Sequence, residues 1–137
     1  MNKALVLKST GKNYVIHSGE LYYNAVLRGK LRLKNSRHTN PVAVGDYVNF
    51  TTDENGFATI HDVLPRKNHI LRKSTKLSHE AHVIAANIDL AVLVLSLKNP
   101  KTPSVFIDRF LVSAESYNIP AILVFNKTDI YSEKEMQ

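Results

Sequence analysis

Two short apolar runs separated by a helix-length spacer restrict the folds open to this chain more than any other feature. Ile88–Leu97 is nearly all apolar and rich in Leu and Val, which suits a strand buried on both faces of a parallel sheet. Ala121–Phe125 is a second run of the same kind. Asn99–Pro103 breaks the first run, and Thr102 can cap a helix that has Pro103 at its first position. Phe106, Ile107, Phe110, Leu111, Ala114 and Tyr117 then recur at three- and four-residue spacing, one face of a helix. Asn118 and Pro120 end it. The pattern predicts a β-α-β unit, right-handed and parallel. Such a sheet needs a covering layer on each face. Only a capping box, Ser132 to Glu135, and Met136 and Gln137 follow, so the helix announced there has about one turn. Residues 85–137 are therefore expected to be the beginning of an α/β domain, incomplete in this chain.

The second run leads directly into Asn126-Lys127-Thr128-Asp129. In open α/β sheets, ligands bind outside the carboxyl ends of the strands. A carboxylate there, Asp129, can accept two hydrogen bonds from the N1–H and 2-amino group of guanine, a bidentate, charge-assisted pair. Adenine lacks the 2-amino donor, so the same carboxylate selects against it. Lys127 can lay its methylene stem along the flat face of the base. Asn126 can fix the loop and reach a ring nitrogen. The plain alternative is an Asx-rich turn after a strand. N-K-x-D arises by chance in about one chain in fifty of this length, and the preceding apolar strand makes chance less adequate. No G-x-x-x-x-G-K-[ST] accompanies it: Gly11-Lys12 and Gly29-Lys30 have Val6 and Asn24 where the first Gly belongs. A base-recognition loop without a phosphate cradle upstream means either a decayed domain or a permuted motif order.

The other half of the chain has strand periodicity. Ala4–Leu7 is followed by the turn-like Ser9-Thr10-Gly11-Lys12-Asn13, and Tyr14–His17 by Ser18-Gly19. Asn55-Gly56 between Tyr47–Thr52 and Phe57–Leu64 is a strong hairpin signal. Four or five such strands in about 70 residues predict a small closed sheet such as an OB-fold. From Leu21 to Lys34, the apolar Leu21, Tyr23, Ala25, Leu27, Leu31 and Leu33 occupy odd positions, and Arg28, Lys30, Arg32 and Lys34 even ones. If one strand runs through Gly29, one face is apolar and the other a basic ladder. If Gly29 marks a bulge, the cations turn a corner there.

Charge follows the same division. Residues 1–84 carry 13 basic and 6 acidic side chains, a net of +7, whereas residues 85–137 carry 5 and 6, a net of −1. Arg37 extends the first basic stretch, and Arg66, Lys67, Arg72, Lys73 and Lys76 form a second; neither contains an acid. These ten candidate contacts, from Arg28 to Lys76, predict electrostatic capture of a phosphate backbone. The plain alternative is a solvated face that blunts a sheet edge. Tyr22 and Tyr47 can stack on bases, although strand tyrosines more often simply pack. With no cysteine in the chain, disulfides, thiol nucleophiles, iron–sulfur clusters and Cys zinc sites are excluded. His79-Glu80-Ala81-His82 is one residue short of a helical H-E-x-x-H, so no metal ligand is assigned. No apolar run is long enough for a bilayer or a signal peptide, and a soluble protein without a membrane partner is expected.

Together these motifs resemble the ribosome small subunit-dependent GTPase A family, the YjeQ-type circularly permuted GTPases. In the first half the resemblance rests on Leu27-Arg28-Gly29-Lys30-Leu31-Arg32, Ala43-Val44-Gly45-Asp46-Tyr47-Val48, and Val63-Leu64-Pro65-Arg66-Lys67-Asn68 with Arg72. In the second it rests on Ala85-Ala86-Asn87-Ile88-Asp89, Ile107-Asp108-Arg109-Phe110-Leu111, and Asn126-Lys127-Thr128-Asp129. It implies an OB-fold RNA-binding domain over residues 1–73, a linker over 74–84, and the first part of a permuted P-loop-type GTPase domain over 85–137. It implies a cytoplasmic, monomeric GTP hydrolase that binds the small ribosomal subunit and its rRNA and is stimulated by it. Guanine nucleotide, GTP or GDP, would meet Asn126, Lys127 and Asp129. The family's phosphate loop, switch regions, Mg²⁺ contacts and structural zinc would lie beyond Gln137, so no catalytic residue is expected within these 137 and the chain alone is expected to be inactive. The rival class is a non-catalytic basic OB-fold that binds RNA, with a vestigial nucleotide loop.

Overall fold

The computed structural model describes residues 1–29, 41–73 and 81–136. They form two compact units, Met1–Asn87 and Ile88–Gln137. In the first, β1 (Asn2–Ser9), β2 (Asn13–Ser18), β3 (Leu21–Leu27), β4 (Tyr47–Thr52) and β5 (Ala58–Val63) close into a barrel in the order β1-β2-β3-β5-β4. β4 returns to pair with β1, and β3 runs parallel to β5. This is OB-type topology, a Greek-key barrel of five strands. Period-two alternation sends Ala4, Val6, Tyr14, Ile16, Ala25, Val48, Phe50, Ala58 and Ile60 inward, all 2% exposed or less, and Tyr23, Leu27 and Val63 pack against them.

The β4–β5 hairpin forms where Asn55-Gly56 predicts it, although by a longer turn. Asp53 and Phe57 close the loop, and Asp53 Oδ1 accepts from the Asn55 and Phe57 amides at 3.0 and 2.8 Å. Gly56 supplies the positive φ, +77°. In β3 the odd residues Tyr23, Ala25 and Leu27 face the core as expected, but Leu21 at its start is 59% exposed. The strand ends at Leu27; Arg28 still donates its amide to Ile60 O at 3.0 Å.

The next hairpin extends into the expected linker. β6 (His69–Lys73) pairs antiparallel with β7 (Ala81–Ala86), and a parallel bridge joins Val44 to Ala85. Residues 81–84 are thus strand, and the unit boundary falls after Asn87 rather than after residue 84. Residues 74–80 of the expected linker lie outside the described residues.

The second unit is the β-α-β arrangement. β8 (Ala91–Leu95) and β9 (Ala121–Phe125) pair in parallel, Ala91 with Ala121 through Leu95 with Phe125. α1 (Ser104–Ser116) connects them. Its N-cap is Pro103, not Thr102, because the Thr102 hydroxyl instead accepts from the Ser96 amide at 3.1 Å. Asn118, at φ 53°, ends the helix in the left-handed conformation, and Ile119 donates to Ala114 O. A 3₁₀ turn (Thr128–Ile130) and α2 (Glu133–Met136) follow β9. β8 alternates buried and exposed residues, and β9 buries none fully.

Candidate functional site

Asn126-Lys127-Thr128-Asp129 sits at the carboxyl end of β9, where an open parallel sheet offers its ligand crevice. Asn126 continues the ladder by donating its amide to Leu95 O at 2.8 Å, and its Oδ1 accepts from the Lys127 amide at 2.8 Å. Lys127 takes the left-handed conformation, φ 62° and ψ 39°, which turns the chain sharply out of the strand. Its ammonium donates to Asn99 O, in the loop after β8. Asp129 lies in the 3₁₀ turn, exposed, without a hydrogen bond or ion pair among the described residues. An exposed carboxylate of this kind can accept two parallel N–H donors.

Tyr131 has no spacing signature and is not among the residues that sequence reasoning selects, yet it ties the loop down. Its hydroxyl donates to Asn126 O and accepts from the Leu97 amide at 2.9 Å, and it lies 3.1 Å from Ser96 Oγ. One phenol thereby joins the ends of β8 and β9. Half of the expected capping box forms: Glu135 Oε2 accepts from the Ser132 amide at 2.8 Å, but the Ser132 hydroxyl donates to the same oxygen at 2.7 Å and the Glu135 amide bonds Ser132 O instead. The same oxygen accepts from Lys98 Nζ at 2.7 Å. The Lys98 contact first, and then the Ser132 contacts, hold this carboxyl well below the ordinary carboxylate range, at about 2.

In the first unit, three of the motif segments converge on one joint. Asp46 is fully buried, and its carboxylate accepts from Arg66 Nε at 2.6 Å, Arg66 Nη2 at 2.7 Å and the Ala43 amide at 2.8 Å. Gly45 has φ +87°, and a Cβ there would stand 2.0 Å from Ala86 O. Asn87 donates Nδ2 to Gly45 O and accepts from the Lys67 amide at Oδ1, at 2.8 and 2.9 Å. These residues clasp the β6–β7 hairpin to the barrel. Arg66, expected on the phosphate-binding face, has both of these donor groups on Asp46 and is 20% exposed. The remaining cations are placed as far as the structure describes them. Arg28 and Lys67 are exposed. Arg72 and Lys73 lie on β6, opposite His82 and Ala81. Lys30, Arg32, Lys34, Arg37 and Lys76 lie outside the described residues.

Comparison with known proteins identifies the assembly of these parts. The sequence model of the RsgA GTPase matches residues 63–137, and that of the RsgA N-terminal domain matches residues 3–60. The chain belongs to the RsgA GTPase family. The small ribosomal subunit biogenesis GTPase RsgA 2 of Bacteroides thetaiotaomicron is 45% identical over 136 residues, covering 98% of this chain and 44% of that protein. The crystal structure of YjeQ from Thermotoga maritima matches with a TM-score of 0.73 at 32% identity, and YloQ, described as a circularly permuted GTPase, with 0.69 at 25%. Each match covers 98% of this chain and 44% of the solved one. The chain therefore spans less than half the length of the RsgA relatives it matches. Its fold is the OB-type barrel followed by the start of a GTPase domain.

The family's nucleotide can be tested against the residues present. The loop offers an exposed acceptor carboxylate, Asp129, of the kind a base with adjacent N–H donors requires, whereas these residues contain no G-x-x-x-x-G-K-[ST] for phosphates. Zinc and Mg²⁺ find no cluster of three or more metal-binding side chains among the described residues.

Proposed function

We propose that this chain is the RNA-binding barrel and guanine-recognition part of a GTP hydrolase that acts in small ribosomal subunit biogenesis. The observation that carries the reading is the unpartnered Asp129 carboxylate in a turn fixed by Asn126, Lys127 and Tyr131 at the end of β9. In this reading Asp129 accepts from the guanine N1–H and 2-amino group, the Lys127 stem covers one face of the base, and Asn126 holds the loop. The family's motif order is permuted, and phosphate, Mg²⁺ and zinc contacts belong to other segments than these residues. When bound, Mg²⁺ would neutralise phosphate charge during hydrolysis. This chain's own residues recognise the base and do not hydrolyse GTP by themselves.

The barrel's net positive charge supports a phosphate-backbone face made by Arg28, Lys30, Arg32, Lys34, Arg37, Lys67, Arg72, Lys73 and Lys76. Small-subunit rRNA is its partner, and the working state is a cytoplasmic monomer with no membrane contact. Among the described residues no helix is long and apolar enough to cross a membrane.

Two titrations test the reading. Followed by NMR, GDP should move the Asn126, Lys127 and Asp129 amides at weak affinity, because the phosphates have no cradle in this chain; ADP should not. An equal response to ADP would sink the guanine assignment. Co-sedimentation with purified small subunits should weaken steeply with salt as counterions are released. Salt-independent binding would sink the RNA face. RNA binding with no response to guanine leaves the non-catalytic module.

A further inference from the structure

Strand register places four side chains in one row across the outside of the barrel. Tyr22 on β3 stands opposite His17 on β2, His17 opposite Leu5 on β1, and Leu5 opposite Tyr47 on β4. Directly opposed residues share a face of the sheet, and the adjacent positions Ala4, Ile16 and Val48 point into the core. With neighbouring strands about 4.8 Å apart, the row is about 15 Å long. The rings of His17 and Tyr22 lie against each other with centroids 4.7 Å apart and planes tilted by 32°. Lys3 Nζ lies 4.4 Å from the centroid of Tyr47. Tyr22 remains 67% exposed and Tyr47 40%. An open depression of about 350 Å³ lies at the Tyr47 end of the row, lined by Lys3, Leu5, His17, Ser18 and Tyr47 but not by Tyr22.

The core of the barrel is complete without these rings, so packing does not account for the row. Its chemistry is that of a base-stacking platform: a paired His17–Tyr22 surface, then the apolar Leu5, then Tyr47 with a cation over its ring. The surrounding unit is strongly basic, and the row itself contains no acid; Glu20, in the β2–β3 turn, is the neighbouring carboxylate. We propose that Tyr22, His17 and Tyr47 stack the unpaired bases of a single RNA strand, with Lys3 meeting its phosphates. This rests on the RNA reading above and deepens it, because cations alone capture any phosphate backbone, whereas stacking selects bases that are out of a duplex.

The test uses the whole chain and two probes, a single-stranded oligouridine of about 12 nucleotides, within the span of one OB-fold, and an RNA duplex of matching length. The chain should prefer the single strand. Tyr22→Ala combined with Tyr47→Ala should lower single-strand affinity at least about tenfold while leaving the salt slope and duplex binding unchanged. Both side chains are exposed, and circular dichroism checks the fold. As a readout without substitution, 4-thiouridine in the single strand should crosslink the wild-type chain at Tyr22 or Tyr47. Unchanged affinity in the folded double variant, or crosslinks confined to other strands, would overturn the platform. Duplex binding without single-strand binding would overturn it while keeping the RNA reading. Binding to neither probe would remove both.

Discussion

The barrel strands mix apolar with polar residues whereas β8 and β9 are apolar throughout, yet it is the barrel that removes its inward apolar side chains from water. In the barrel every strand has two partners, and each inward side chain meets others across a closed interior. In the second unit β8 and β9 have only each other among the described residues. Val92, Val94, Ile122, Val124 and Phe125 are between 40 and 60% exposed, and on α1 Phe106 and Val112 are 53 and 68% exposed. Apolar sequence is thus sufficient for a strand and insufficient for a core. Closure, or a second covering layer, decides whether the area is removed from water.

The largest way to break this contrast is amide hydrogen exchange. Amides of β1–β5 should open only with the whole barrel, and those of β8 and β9 by local opening, with rates higher by about a thousandfold or more. Uniformly slow exchange from Ile88 to Met136 would abolish the distinction. Next in size are changes at the clasp. Asp46→Ala leaves Arg66 without its buried partner and should cost the first unit about 3–5 kcal/mol by denaturant unfolding. Gly45→Ala forces a Cβ against Ala86 O at 2.0 Å and should cost about 3 kcal/mol or more. Either variant with unaltered unfolding would show that the hairpin is not clasped to the barrel.

Smaller effects belong to the second unit. Tyr131→Phe removes a hydroxyl that bonds both strand ends and should destabilise this unit by about 1–2 kcal/mol while leaving the barrel unaffected. Resonances of Asn126 and Leu97 should shift, and a silent spectrum would refute the tie. The smallest effect is that of acid. The Glu135 carboxyl is held at about 2 by Lys98 and Ser132, so its contribution is present above the ordinary carboxylate range and fades as pH falls through about 2. The pair is exposed, so the change should be visible in the Ser132 amide shift rather than in overall stability. A midpoint in the ordinary carboxylate range would count against the contact.

Sequence reading recovered what depends on local periodicity. Alternation in β1, β2, β4 and β5, the Asn55-Gly56 turn, the parallel pair with its intervening helix, and the Asn118 helix end are visible without a structure. What it missed depends on distant partners. Ala81–Ala86 is short and half alanine, without clear alternation, and its place beside Val44 is decided by Gly45, which only the folded backbone reveals. Arg66 reads as one cation of a cluster until Asp46, 20 residues earlier, is seen beneath it. At the loop, Asn126, Lys127 and Asp129 are legible because they form a spaced motif directly after an apolar run. Tyr131 is not, since its role exists only once β8 and β9 are adjacent. Thr102 shows the converse: a good capping residue by position, it is drawn to the Ser96 amide instead.

The clasp also has a consequence in time. Gly45 receives its hydrogen bond from Asn87, 42 residues later in the chain. At a synthesis rate of about 5–20 residues per second, that interval is about 2–8 seconds. All five barrel strands are complete by Val63, but Asp46 must wait for Arg66, and Gly45 for Asn87. A nascent barrel therefore passes through a stage in which its strands are made and its latch is not.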